Sequence, residues 1–261
     1  MAIWRSQSVQ FVWFLTSVEN IHAATIFQKV AGQSPDSSQQ NRVPSPSNPF
    51  LSLASGVAYN RELRVQVQPG RVDIFVMPVD TSDPAPEIPF IDTALEVNTL
   101  VEAITTNDIV WPTAIRQAIV ANLFEPAESQ AEASKLFFER AGLSSFVPET
   151  SDEVFQINRR KKLTSAPETL NRLLRFGIAT FQEYIVQVQP NAGPAGPAVP
   201  MSETKFATSL ILDLNTVVTG RPIATEHQIP IFKEMAFELL RIANIASPQA
   251  LTDEENELPN R

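Results

Sequence analysis

The sequence predicts an α+β fold in which a β-α-β-β-β-α unit occurs twice. Together the two units form a pseudo-twofold, mostly antiparallel sheet with helices on one face. The first observation behind this prediction is that "VQVQPG" at 65–70 returns as "VQVQPN" at 186–191. The second is that 55–70 and 176–191 share 8 identities in 16 ungapped positions, where composition alone predicts about one. Such a repeat is best recognised before any fold is assigned.

The third observation is that other matches follow in the same order along the chain. "FQKVAG" at 27–32 matches "FFERAG" at 137–142, and "EIPFIDTA" at 87–94 matches "QIPIFKEM" at 228–235. The offset between matching residues grows from 110 to 141, so the second copy carries longer connections. We therefore expect one compact body made of a first half, a second half and a flexible acidic tail, at 1–108, 109–248 and 249–261.

Runs rich in β-branched and aromatic residues predict the strands. In the first copy they are 8–16, 37–43, 53–68 and 71–79. In the second copy they are 113–124, 153–163, 173–189 and 208–217. The strand at 37–43 has the weakest pattern, and its counterpart in the second copy supports it.

One segment carries conflicting signals. In "SAPETLNRLLRFG", Ser165 and Glu168 form a capping box, and Leu170, Leu173 and Leu174 have helical spacing. In its counterpart in the first copy, apolar and polar residues alternate as in a strand. The two copies should have the same secondary structure. We therefore predict a strand over most of it.

Helices follow the first strand and close the unit in each copy. The predicted helices are 18–31 and 91–104 in the first copy and 127–141 and 230–245 in the second. Ser17 is the expected N-cap of the first helix. Gly32 and Gly142 follow the two outer helices, and glycine suits the left-handed residue that ends a helix.

Composition excludes several classes of protein. The chain has 261 residues, 43% of them hydrophobic, which is enough to bury a full core. It contains no cysteine, which excludes disulfides, thiolate nucleophiles and sulfur-ligated metals. The formal net charge of −9 argues against a generic coat for nucleic acid, although a local basic patch remains compatible with binding.

The amino-terminal apolar run carries no membrane or export signal. "VQFVWFLTSV" at 9–18 is too short to span a bilayer, and no small-residue cleavage site follows it closely. We expect a cytoplasmic protein that does not interact with a membrane.

Residues with catalytic chemistry are sparse and scattered. His22 and His227 are the only histidines, and neither has a second histidine at metal-ligand spacing. No glycine-rich phosphate loop or nucleophile elbow is present. Glu62 and Asp73 would approach each other across a hairpin, but such carboxylates on a sheet face are usually only solvated. We expect no enzymatic activity, no cofactor and no metal.

The chain contains one cluster of cations. Its members are Arg159, Arg160, Lys161 and Lys162, with Arg172 and Arg175 brought close by the antiparallel neighbouring strand. The cluster has two interpretations: a patch that contacts phosphate or another anion, or a solvated strand edge that discourages aggregation or meets an acidic partner.

The first strand of each copy is apolar on both sides. In the first, Phe11 and Trp13 lie on one side, and Val12 and Phe14 lie on the other. Either both faces are covered within the fold, or one face meets a partner. The candidate interface residues are Val12, Trp13, Phe14, Val120 and Phe124.

These observations favour a non-enzymatic assembly or adaptor subunit, acting in a multiprotein complex or as a homodimer. The contacts would involve the apolar sheet surface and the loop "PNAGPAGPAVP" at 190–200, which occurs only in the second copy. One alternative is a protein that binds nucleic acid or an anionic ligand through the basic cluster. The other is a small-molecule sensor with an enclosed apolar pocket.

Overall fold

The computed structural model describes residues 4–79, 88–107, 109, 111–144, 153–182, 184–185, 199–200 and 204–252. Within these ranges the protein is an α+β fold with a nine-stranded antiparallel sheet and four α-helices. The strands are β1 Arg5–Leu15, β2 Ser37–Gln40, β3 Ser52–Ala58, β4 Arg61–Gln68, β5 Arg71–Pro78, β6 Ala114–Ala127, β7 Val154–Lys162, β8 Thr169–Phe181, β9 Tyr184–Ile185, β10 Val199–Pro200 and β11 Lys205–Thr216. The helices are α1 Ala23–Ala31, α2 Thr93–Thr106, α3 Gln130–Ala141 and α4 Thr225–Ile245, followed by a short 3₁₀ helix, Pro248–Leu251.

The main sheet has the order β2-β3-β4-β5-β1-β6-β11-β8-β7, and β9 and β10 form a separate two-stranded ribbon. Every adjacent pair in the main sheet is antiparallel. β1 and β6 are neighbours near the middle of the sheet, and β2 and β7 are its edges. The two strands that are apolar on both sides are therefore neighbours in the middle of the sheet.

All four helices pack on the same face of the sheet. Each makes a contact with a side chain of that face: Ala23 N with Ser52 Oγ, Glu96 with Arg61, Ala133 O with Thr208 Oγ1, and Phe232 with Phe11. Residues from the four helices and from this face belong to one hydrophobic core. The prediction of helices on one face is therefore correct for the described helices.

The centre of the core is aromatic. Trp13 of β1 is fully buried and stacks on Trp111, with ring centroids 3.9 Å apart and planes inclined by 11°. Phe232 of α4 packs against both Trp13 and Phe11, at centroid distances of 4.5 and 5.3 Å. These contacts attach the last helix to the first strand.

The helix ends agree with the glycine signals. Gly32 and Gly142 follow α1 and α3 with φ of 70° and 68°, the left-handed region that favours glycine. Ser129 caps α3 by accepting a hydrogen bond from Glu132 N. The predicted cap at Ser17 is wrong, because α1 begins only at Ala23.

The strand predicted over 53–68 is two strands. Tyr59 and Asn60, with φ of 53° and 63°, form the turn of a hairpin between β3 and β4. Two successive left-handed residues are typical of a two-residue hairpin turn. Tyr59 is an unusual residue for such a turn, so the sequence signal was weak.

β8 confirms the strand prediction for the segment with the capping box. Ser165 does not begin a helix: its backbone N–H and that of Thr164 donate hydrogen bonds to the carboxylate of Glu234 on α4. Leu170 and Leu174 point into the core from a strand that pairs with both β7 and β11. Tertiary pairing therefore overrides the local helical signal.

α4 begins at Thr225, five residues before the predicted start, and Pro230 lies inside it. In the described ranges no helix is both long and apolar enough to cross a membrane. The second "VQVQ" word at 186–189, most of the 190–200 loop and the tail at 253–261 lie outside the described residues.

Candidate functional site

The face of the sheet opposite the helices is the candidate functional surface. Directly paired residues on neighbouring strands point to the same side, so the pairing register identifies its side chains. One row contains Ser55, Arg64, Phe75, Gln10, Val120, Asp213, Leu173 and Asn158. The next contains Leu53, Gln66, Asp73, Val12, Ala118, Asn215, Asn171 and Arg160. We call this surface the helix-free face, because none of the described helices packs on it.

Asp73 is the buried carboxylate of this face. It accepts hydrogen bonds from Arg71 Nε at 2.8 and 3.0 Å, from Arg71 Nη2 at 2.8 Å and from Gln10 Nε2 at 2.7 Å. Glu62, which the sequence pairs with Asp73 as a possible acid–base couple, instead forms a 2.8 Å ion pair with Arg64. Both carboxylates therefore have a cationic partner.

Phe14 lies between two arginines. It is paired with Arg71 on β5 and with Arg116 on β6. The guanidinium carbon of each arginine is 5.2 Å from the centroid of the Phe14 ring, within the range of a cation–π interaction. Three strands thus contribute to one Arg–Phe–Arg cluster at the end of the helix-free face.

Side-chain hydrogen bonds order the part of this face nearest the edge strand β7. Arg160 Nε donates to Asn171 Oδ1 at 3.3 Å, and Asn171 Nδ2 donates to Asn215 Oδ1 at 3.0 Å. Asn215 Nδ2 in turn donates to Asp213 Oδ1 at 2.8 Å. This chain of bonds connects β7, β8 and β11, and restricts the conformations of the surface side chains.

The helix-free face carries an excess of positive charge. Its basic residues are Arg5, Arg64, Arg71, Arg116, Arg160, Lys162, Arg175 and Lys205. Its acidic residues are Glu62, Asp73 and Asp213. The formal excess is five positive charges among these strand residues, in a chain whose net charge is −9. The acidic surplus of the protein therefore lies elsewhere.

The six cations predicted as one patch lie on two different faces of the sheet. Arg160, Lys162 and Arg175 lie on the helix-free face. Arg159, Lys161 and Arg172 belong to the side that faces the helices. The prediction of one patch is therefore wrong, because consecutive strand residues point to opposite sides.

Arg172 requires a second correction, since it is fully buried. It donates to Glu238 Oε1 on α4 at 2.9 Å, while Lys161 and Arg241 also contact that carboxylate, at 3.2 and 2.8 Å. Burial by itself would raise the pKa of Glu238, but hydrogen bonds from Arg241 and Arg172 and the charge of Lys161 lower it to about 2. This cluster is part of the core and is not open to a ligand.

Four of the five candidate interface residues lie on the helix-free face. They are Val12, Phe14, Val120 and Phe124. Phe14 and Val120 are half-buried, whereas Val12 and Phe124 are only 2% and 8% exposed. The fifth, Trp13, is not a surface residue, because its position in β1 directs it into the core.

Sequence reasoning missed Arg64, Arg71 and Arg116 as candidates. Arg71 and Arg116 are the only arginines of β5 and β6, Arg64 is separated from Arg61 in β4 by two residues, and none of the three belongs to a run of cations in the chain. The alternation of β1 placed Phe14 on the second face, but only the pairing of β5 and β6 with β1 places two arginines beside it.

The described part of the chain contains no group of three histidine, aspartate or glutamate side chains arranged to hold a metal ion. No protein-family model, no curated protein and no solved structure matches this chain.

Proposed function

We propose that this protein is a non-enzymatic adaptor subunit that binds an acidic partner protein on its helix-free face. The observation that carries the proposal is the opposition of charge. An excess of basic residues lies on one sheet face of a chain with a net charge of −9. Complementary charges at an interface guide association and select the correct partner.

A protein partner suits this face better than a nucleic acid does. Interfaces with nucleic acid are strongly basic and more polar than interfaces between proteins. Here the half-buried apolar side chains of Phe14 and Val120 lie between the arginines of the face. Arg64 and Arg71 are already paired with carboxylates. An apolar centre within a charged rim is typical of a protein interface.

The same charges disfavour a symmetric dimer through this face. Two copies that met face to face would bring Arg160 and Arg175 of one copy close to basic residues of the other, and like charges across an interface cost binding energy. The partner on this face is therefore a different, acidic protein surface.

The internal duplication and a cytoplasmic location are parts of the same proposal. β1 and β6 are antiparallel neighbours, and each is followed by a helix that ends at a left-handed glycine, Gly32 or Gly142. This arrangement supports two copies of one unit. The absence of cysteine from the chain is compatible with a reducing compartment.

A binding measurement tests the proposal. The probe is a fluorescent poly-L-glutamate of about 20 residues, the number that each side of a standard interface contributes. We expect it to bind at low salt, and more weakly as salt screens the charges. Replacing both Arg160 and Arg175 by glutamate should weaken binding about tenfold, because two exposed cations of the face become anions.

The matched control is a double variant with Lys135→Glu and Lys233→Glu. Both lysines are exposed on helices, so the net charge changes equally while the helix-free face stays intact. The proposal fails if both double variants weaken binding equally. It also fails if single-stranded oligodeoxythymidine of similar length binds more tightly than the peptide and loses affinity in the Arg160/Arg175 variant.

A further inference from the structure

Arg116 differs from three other arginines of the helix-free face. Arg64 and Arg71 bind carboxylates, and Arg160 donates to an amide oxygen. Within the described ranges, the interaction found for Arg116 is its contact with the ring of Phe14. Its Nε is shielded from solvent and has no hydrogen-bond acceptor there. The two Nη groups are not among these shielded atoms, so an incoming anion can reach a cation whose charge no described carboxylate balances.

Phe14 restrains the Arg116 side chain through a cation–π contact. The ring lies under both guanidinium groups at 5.2 Å, but Arg71 is held by three hydrogen bonds to the buried Asp73. A guanidinium over a ring keeps its N–H groups available, because they lie in its own plane. Arg116 is thus restrained by an aromatic contact, and its charge is not neutralised by a described residue.

We propose that Arg116, positioned by Phe14, binds a carboxylate side chain of the acidic partner. The proposal rests on the function assigned above and identifies a specific contact within that surface. The planar fork of arginine can donate two parallel hydrogen bonds to one carboxylate, which an ammonium group cannot do. Shape as well as charge therefore contributes to recognition at this position.

The test uses the poly-L-glutamate probe with three single variants. Arg116→Lys keeps the positive charge but loses the fork, and we expect its affinity to fall about fivefold. Phe14→Leu keeps an apolar side chain but removes the ring, and should weaken binding about threefold.

The control is Arg42→Gln, which removes one charge from an exposed residue just after the edge strand β2. Arg42 lies about 24 Å from β6, because five strand spacings of about 4.8 Å separate β2 from β6. Its affinity should stay within about twofold of the original.

Combining the first two changes tests whether Phe14 acts through Arg116. If it does, Phe14→Leu will cost much less in the Arg116→Lys background than in the original protein. Equal losses in both backgrounds would show that Phe14 contacts the probe independently.

The results separate this inference from the function on which it depends. If the Arg160/Arg175 double variant weakens binding while Arg116→Lys does not, the face binds acidic partners but the Arg116 contact is wrong. If no variant of this face changes binding, both proposals are wrong. Thermal unfolding of each variant confirms that a loss of affinity is not a loss of folding.

Discussion

Replacing Phe232 by alanine will lower the free energy of unfolding by about 3–5 kcal/mol, the usual cost of removing a large buried aromatic side chain. Phe232 is 0% exposed, and it connects α4 to Phe11 and Trp13 on the central strand β1. The vacated space lies between a rigid sheet and a 21-residue helix, so it cannot collapse completely. Urea denaturation, with the midpoint and the slope fitted separately, measures the change.

Phe237→Ala provides a matched control on the same helix. Its side chain is 71% exposed, so the same substitution removes little buried surface, and we expect a change within about 0.5 kcal/mol. Similar losses for Phe232 and Phe237 would contradict the packing of α4 described above.

The second large effect concerns Glu238. The variant Glu238→Gln removes the carboxylate that contacts Arg172, Lys161 and Arg241. Arg172 is fully buried, and an ion pair broken inside a protein typically costs about 3–5 kcal/mol. We expect a loss of this size at neutral pH in urea denaturation. Glu226→Gln, at an exposed position in the first turn of α4, should cost less than about 1 kcal/mol.

The effect of Glu238 should depend on pH in a defined direction. Its pKa is lowered from 4.5 to about 2 in the folded protein, so the unfolded chain takes up the proton first as the pH falls. The carboxylate therefore contributes its full stabilisation above pH 4.5, and the contribution decreases between pH 4.5 and about 2. The difference in unfolding free energy between the original protein and Glu238→Gln should shrink over this window. A constant difference would exclude the described cluster as its cause.

Much of the fold follows from local patterns. Alternating apolar residues and β-branched runs predicted the positions of β1, β5, β6, β7 and β11. Glycines at 32 and 142 marked the ends of α1 and α3 correctly. These features depend on neighbours in the chain, which a sequence displays directly. The errors occurred where the local signal was weak or misleading, as at Ser17 and at the Tyr59–Asn60 turn.

The candidate surface was much harder to predict. The cluster of four cations at 159–162 was conspicuous in the sequence, yet alternation sends two of them to each side of β7. Arg172 was predicted to contact an anion and instead forms an ion pair with Glu238 within the core. No signal within the chain indicated that Arg116 would lie beside Phe14, because the two residues are 102 positions apart.

By itself, the sequence determined the α+β class of the fold, most strands and helices, the low content of catalytic residue types and the acidic balance of the chain. Only the tertiary structure decided which side chains share a face. The physical reason is that local conformation depends on neighbouring residues, whereas a sheet surface is assembled by cross-strand pairing. β1, β5 and β6 bring Phe14, Arg71 and Arg116 together from three separate parts of the chain, and a shift of one residue in either pairing would separate them.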